Sequence, residues 1–197
     1  MRAKRQAILP ETYLITGDNP KNPPSFLNML ASCLEKGITL VQFRARQLSH
    51  IEYMKLADKV VRLCHQYGAS VILNNDAKFV GELNADGVHL NSARLSSCQS
   101  RPLDKTKLVS ASCHNAQEIR HAEKIGVDFV TLSPVFTTTS HVCTDVLGWE
   151  NFAKLSSIAH IPVFALGGVS ISDIELVKKN GGYGIAAIRA LWGAASY

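Results

Sequence analysis

The stretch Pro162-Val163-Phe164-Ala165-Leu166-Gly167-Gly168-Val169-Ser170 reads as one complete strand-to-helix unit. Residues 162–166 are apolar throughout, the pattern of a strand covered on both faces. The two glycines that follow allow a tight turn of the backbone. Ser170 is a helix-capping residue type, and the helix is expected over 170–180, stopped by Gly181 and Gly182.

The same unit recurs along the chain. Apolar, β-rich runs fall at 13–16, 39–44, 70–74, 87–90, 108–112, 129–133 and 184–188. Helical segments separate most of them. Residues 25–36 follow Pro23 and Pro24 and stop at Gly37. Residues 49–67 carry Ile51, Met54, Leu56, Ala57, Val60, Val61 and Cys64 at helical spacing and end at Gly68. Residues 115–125 open with Asn115, have Glu118 three positions on and stop at Gly126; 149–158 is a further helix. The connections after the third and fourth strands carry no clear pattern. Only 189–197 remains for a closing helix, which is expected to be short or missing. Strand alternating with helix gives the α/β class. Eight units in 197 residues fit a single small (βα)8 TIM barrel, parallel and eight-stranded, as one domain over 1–197. An open doubly wound sheet fits less well, because no GxGxxG follows the first strand.

Composition narrows the function classes. With 46% hydrophobic and 19% charged residues, the chain has the make-up of an ordinary globular protein. No apolar run approaches the roughly 18 residues a membrane span needs. Residues 1–5 are basic, but 6–10 is too short for a signal-peptide core, so a cytoplasmic location is expected. The five cysteines are odd in number and form no CxxC, which argues against a disulfide framework or a zinc site. The net charge of +5 comes without basic residues interleaved with stacking aromatics, so nucleic acid is not the expected partner. A modest positive field suits a small phosphorylated ligand.

In a barrel of this kind the active site lies at the C-terminal strand ends. There the sequence places Arg44 and Arg46, then Asn74, Asn75 and Asp76, then His89, His114, the run Thr137, Thr138, Thr139, Ser140 and His141, then Gly167 and Gly168, and finally Ile188 and Arg189. Gly167 and Gly168 let a ligand approach the backbone closely, with the next helix and the last strand completing a phosphate cradle that Arg189 reinforces. A plain strand-to-helix turn is the competing reading. Arg44 and Arg46 share one face of a strand and suit an anion, although Arg44 could pair with a carboxylate such as Asp76 instead. The threonine hydroxyls suit phosphate or diphosphate oxygens; a solvated loop would look the same. His114 can take and give a proton near neutrality, or merely cap the next helix. Cys113 beside it reads as a packed thiol or, alternatively, a reactive one. His89 reads as structural, and His141 as a ligand contact.

Taken in order, several of these stretches resemble the thiamine phosphate synthase / TenI (thiazole tautomerase) superfamily. They are Val41-Gln42-Phe43-Arg44-Ala45-Arg46, Leu73-Asn74-Asn75-Asp76, Ala85-Asp86-Gly87-Val88-His89-Leu90, Ser110-Ala111-Ser112-Cys113-His114-Asn115, Pro134-Val135-Phe136-Thr137-Thr138-Thr139 and 162–169. Gly148-Trp149-Glu150 and Ile188-Arg189-Ala190-Leu191-Trp192 look like the synthase-like domain fused to MutT-type Nudix hydrolases, although no Nudix box is present. The resemblance implies the (βα)8 barrel and work on thiazole phosphate in thiamine biosynthesis, with a homo-oligomer or a Nudix protein as conceivable partner. It also implies a Mg2+ site built on acids after the third and fourth strands, where this chain has Asn75 and Arg94. At the synthase's diphosphate-binding lysine it has Arg46. The expected activity is therefore a metal-independent, tautomerase-like proton shift at His114, with no cofactor. The alternatives are a Mg2+-dependent synthase with an altered metal site, and a non-catalytic phosphate-ligand regulatory domain.

Overall fold

The computed structural model describes residues 9–17, 20, 22–137 and 146–192. Eight strands close into a barrel in sequence order, each parallel to its neighbours: β1 Thr12–Ile15, β2 Leu40–Phe43, β3 Ser70–Leu73, β4 Gly87–Leu90, β5 Leu108–Cys113, β6 Phe129–Leu132, β7 Val163–Leu166 and β8 Gly184–Ala187. The seam closes through Thr12 opposite Ile185, Tyr13 opposite Ala186 and Leu14 opposite Ala187. The helices are α1 Pro23–Glu35, α2 His50–Gln66, α3 Lys78–Glu82, α4 Ser92–Ser97, α5 Ala116–Lys124, α6 Gly148–Ser156, α7 Ile174–Lys179 and α8 Arg189–Trp192. The barrel and all eight strands expected from sequence are present. None of the helices among the described residues is long and apolar enough to cross a membrane.

Local chemistry sets the helix starts. α1 begins at Pro23 rather than 25, because Asn22 caps the Ser25 N–H at 3.1 Å and two prolines occupy positions that need no N–H. Ser49 and Glu52 form a reciprocal capping box at α2. Asn115 accepts from the Glu118 N–H at 2.9 Å at α5. The helix expected over 170–180 is divided. The Asp173 carboxylate takes the Ser170 N–H at 2.8 Å and winds Ile171–Asp173 into a 3-10 turn, after which α7 starts at Ile174. The closing α8 is a single turn, and Arg189, expected at a strand end, is its first residue.

Two cores follow from strand alternation. Tyr13, Ile15, Leu40, Ile72, Phe129, Phe164 and Ala186 fill the barrel interior. The outward residues, such as Val41, Phe43, Val71, Leu73, Val109 and Val130, pack under the helices with Leu30, Val60, Ile119 and Phe152. At the N-terminal rim two aspartates play one role twice. Asp86 Oδ2 accepts the Val71 N–H at 2.8 Å, and Asp128 Oδ2 accepts the Val109 N–H at 2.7 Å, each fastening the start of a neighbouring strand. Arg101 Nη2 then donates to Asp128 Oδ2 at 2.7 Å.

Candidate functional site

The C-terminal strand ends open into a cavity of about 1090 Å³. Its wall takes Arg44 and Arg46 from beyond β2, Asn74 from beyond β3, His114 from beyond β5 and Thr137 from beyond β6. Gly167 and Gly168 join it after β7, and Ile188 and Arg189 after β8. Every sequence-expected contact within the described residues therefore faces one space. Thr138, Thr139, His141 and Cys143 lie outside the described residues. β2 ends at Phe43, so the two arginines sit on the loop rather than on a strand, yet both still reach the cavity.

Gly167 and Gly168 have φ of +102° and +70°, a region L side chains rarely adopt. A Cβ on Gly168 would lie 2.7 Å from the Phe136 Cβ, and one on Gly167 would lie 3.0 Å from the Pro134 Cα. Val135 donates to the Leu166 carbonyl and Phe136 to the Gly167 carbonyl, both at 3.0 Å. The pair thus serves loop-to-loop packing between the β6 and β7 ends and also forms part of the cavity wall.

His114 is exposed to the cavity. Its Nδ1 lies 2.6 Å from the Ser133 carbonyl, which can only accept, so Nδ1 carries the proton. Nε2 of the neutral ring is then the free base. Glu118 accepts the His114 backbone N–H at 2.6 Å and holds the residue at the start of α5. Cys113 is fully buried and burial pushes its thiol up to about 12, so it is a packed thiol and not a reactive one.

The two positions at which acids would be needed for Mg2+ are otherwise engaged. Asn75 Oδ1 accepts the Asp76 N–H at 2.8 Å. Arg94 Nη1 donates to Asn74 Oδ1 at 3.1 Å and to the His89 carbonyl at 3.3 Å. Asp76 is exposed and 3.7 Å from the Lys78 ammonium. Among the described residues no three His, Cys, Asp or Glu side chains come together as a ligand set. Mg2+ prefers anionic oxygens, and a guanidinium in that place repels it; the donor set does not fit this metal.

The sequence reading missed a polar run through the upper barrel. Asn74 Nδ2 donates to Gln42 Oε1 at 2.8 Å, and Gln42 Nε2 to the Tyr13 hydroxyl at 2.9 Å. Tyr13 Oη lies 3.4 Å from Ser110 Oγ. His89 bridges Ser110 through Nδ1 at 2.9 Å and Ser112 through Nε2 at 2.8 Å. His89 is buried, and burial with the nearby Arg94 and Arg44 charges pushes its pKa down to about 3. Gln42, Ser112, Ser133 and Ser170 also line the cavity. The available signal was the polar residue inside an apolar strand, as Gln42 is within Leu40–Phe43.

A family model described as thiamine monophosphate synthase matches residues 12–191. The chain is 37% identical over 180 residues to a putative thiamine-phosphate synthase 2 of Aquifex aeolicus, covering 91% of this chain and 96% of that protein. It is 32% identical to a thiamine-phosphate synthase of Streptococcus suis, covering 92% and 81%. Among solved structures it is similar to thiamine phosphate pyrophosphorylase from Pyrococcus furiosus, with a TM-score of 0.75, 26% identity and coverage of 94% and 88%.

Proposed function

The chain belongs to the thiamine monophosphate synthase family, and on that premise we propose that it is an enzyme acting on a thiazole phosphate held in the barrel-mouth cavity. The observation that carries this reading is the convergence of Gly167, Gly168, Ile188 and Arg189 with Arg44 and Arg46 on one space. Phosphate would sit at the glycine turn and Arg189. A guanidinium holds such an anion with two parallel hydrogen bonds.

The names of the relatives support the synthase reaction more than the tautomerase-like proton shift that the resemblance led us to expect. In that reaction the thiazole nitrogen forms a bond to the pyrimidine methylene carbon, and the bond from that carbon to diphosphate breaks. Arg44, Arg46 and the Thr137 hydroxyl would stabilise the charge growing on the departing diphosphate. Because Asn75 and Arg94 do not fit Mg2+, no step is assigned to a metal. The second reading is a tautomerase-like proton shift, favoured by one observation: the fixed Nδ1–H of His114, which leaves Nε2 as a base on the cavity wall.

The test incubates the purified protein with thiazole phosphate and the pyrimidine diphosphate, with Mg2+ and with chelator. Thiamine phosphate as product supports the synthase reading. Isomerisation of a thiazole carboxylate phosphate that is lost in His114→Ala supports the second. Binding of thiazole phosphate with neither turnover assigns a sensor role and overturns both.

A further inference from the structure

The polar run through the barrel has a direction, and its direction is set at one end by Arg94. A guanidinium only donates. Its Nη1 donates to Asn74, so the oxygen of that amide must face Arg94 and the NH2 must face Gln42. Gln42 then presents its own oxygen to Asn74 and its NH2 to Tyr13. The Tyr13 oxygen accepts from Gln42, and Tyr13 is fully buried, so its single proton needs a partner; Ser110 Oγ is the one within reach. Ser110 is buried as well, so its own proton needs an acceptor, and His89 Nδ1 lies 2.9 Å away to take it. A neutral imidazole that accepts at Nδ1 carries its proton on Nε2, which donates to Ser112 Oγ. The Ser112 hydroxyl takes that proton on one lone pair, so its own hydrogen points away from His89, and the residue lines the cavity. Its proton is left for the ligand.

We propose that Arg94 is a positioning residue whose guanidinium polarises the run Asn74–Gln42–Tyr13–Ser110–His89–Ser112, so that Ser112 meets the ligand as a hydrogen-bond donor to a phosphoryl oxygen. The proposal rests on the phosphate reading of the cavity for the identity of that acceptor. The direction of the run rests on the hydrogen bonds alone. It gives Arg94 a role where a carboxylate would otherwise serve a metal. An acceptor-only side chain at 94 would turn the Asn74 amide over and reverse every bond as far as Ser112. The consequence is a preference: the proton of Ser112 is available to an acceptor oxygen of the ligand instead of being spent on His89.

The test is nitrogen-15 NMR of histidine-labelled protein between pH 5 and 8, together with calorimetric titration using inorganic pyrophosphate. The expected result for His89 is a protonated Nε2 and a bare Nδ1 throughout this range. Arg94→Lys keeps a donor and retains that tautomer, whereas Arg94→Glu moves the proton to Nδ1. Pyrophosphate binding weakens about tenfold or more in Ser112→Ala and in Arg94→Glu, the scale of one hydrogen bond to a charged group. A proton on His89 Nδ1 in the unaltered protein overturns the proposal without needing any variant to fold. Unchanged pyrophosphate binding in Ser112→Ala overturns the donor role of Ser112. Failure of the unaltered protein to bind pyrophosphate overturns the phosphoryl acceptor and counts against the phosphate reading, while the tautomer still decides the direction of the run.

Discussion

At the scale of single residues, His89 ties the site to stability. Its folded pKa is pushed down to about 3, against about 6.5 for a free imidazole. Between those values the unfolded chain binds a proton that the folded chain does not. The contribution is therefore complete above pH 6.5 and is lost as pH falls through the window, at about 1.4 kcal/mol per pH unit. Urea unfolding at pH 7, 5 and 4 should show a shallower acid loss for His89→Gln than for the unaltered protein; parallel losses would contradict this. Gly168 gives a second prediction. With φ at +70° and Phe136 only 2.7 Å from an added Cβ, Gly168→Ala should cost about 1–3 kcal/mol in the same experiment. The glycine pair was legible in sequence as a turn, but its packing against Pro134 and Phe136 was not, because those residues lie some thirty positions away in the chain.

At the scale of elements, the strands were readable because continuous apolar runs bounded by glycine or polar residues mark strands covered on both faces. α2 and α5 were readable from their caps and spacing. α3 and α4 were not, since five and six residues make less than two turns and show no helical period. The strand starts depend on a device the sequence did not advertise. Asp128 holds the Val109 N–H and the Arg101 guanidinium together. Asp128→Ala leaves both without that acceptor and should destabilise by about 1–3 kcal/mol, measured by denaturant titration. A loss under 0.5 kcal/mol would show that water replaces the carboxylate.

At the scale of the whole molecule, barrel closure turns scattered residues into a layered interior. Hydrogen bonds join Tyr13, Gln42, His89, Ser110 and Ser112 into one polar layer among the aromatic and aliphatic side chains that fill the rest of the interior. No local pattern could reveal that layer, because its members come from four strands and meet only through register. The rim residues Arg44, Arg46 and Arg189 were legible, since each lies at or just beyond the end of a recognisable apolar run. Three guanidiniums at one opening should make binding of a phosphorylated ligand depend on salt, with affinity falling as ionic strength rises from 0.05 to 0.5 M by calorimetry. The central claim is that thiazole phosphate is held by its phosphate at the ends of β7 and β8. A crystal structure with thiazole phosphate tests it most directly. The account predicts the phosphate against the Gly167–Gly168 backbone and within hydrogen-bond reach of Arg189. A phosphate seated instead beside Asp76, or a ligand bound with its phosphate turned out to solvent, would contradict it.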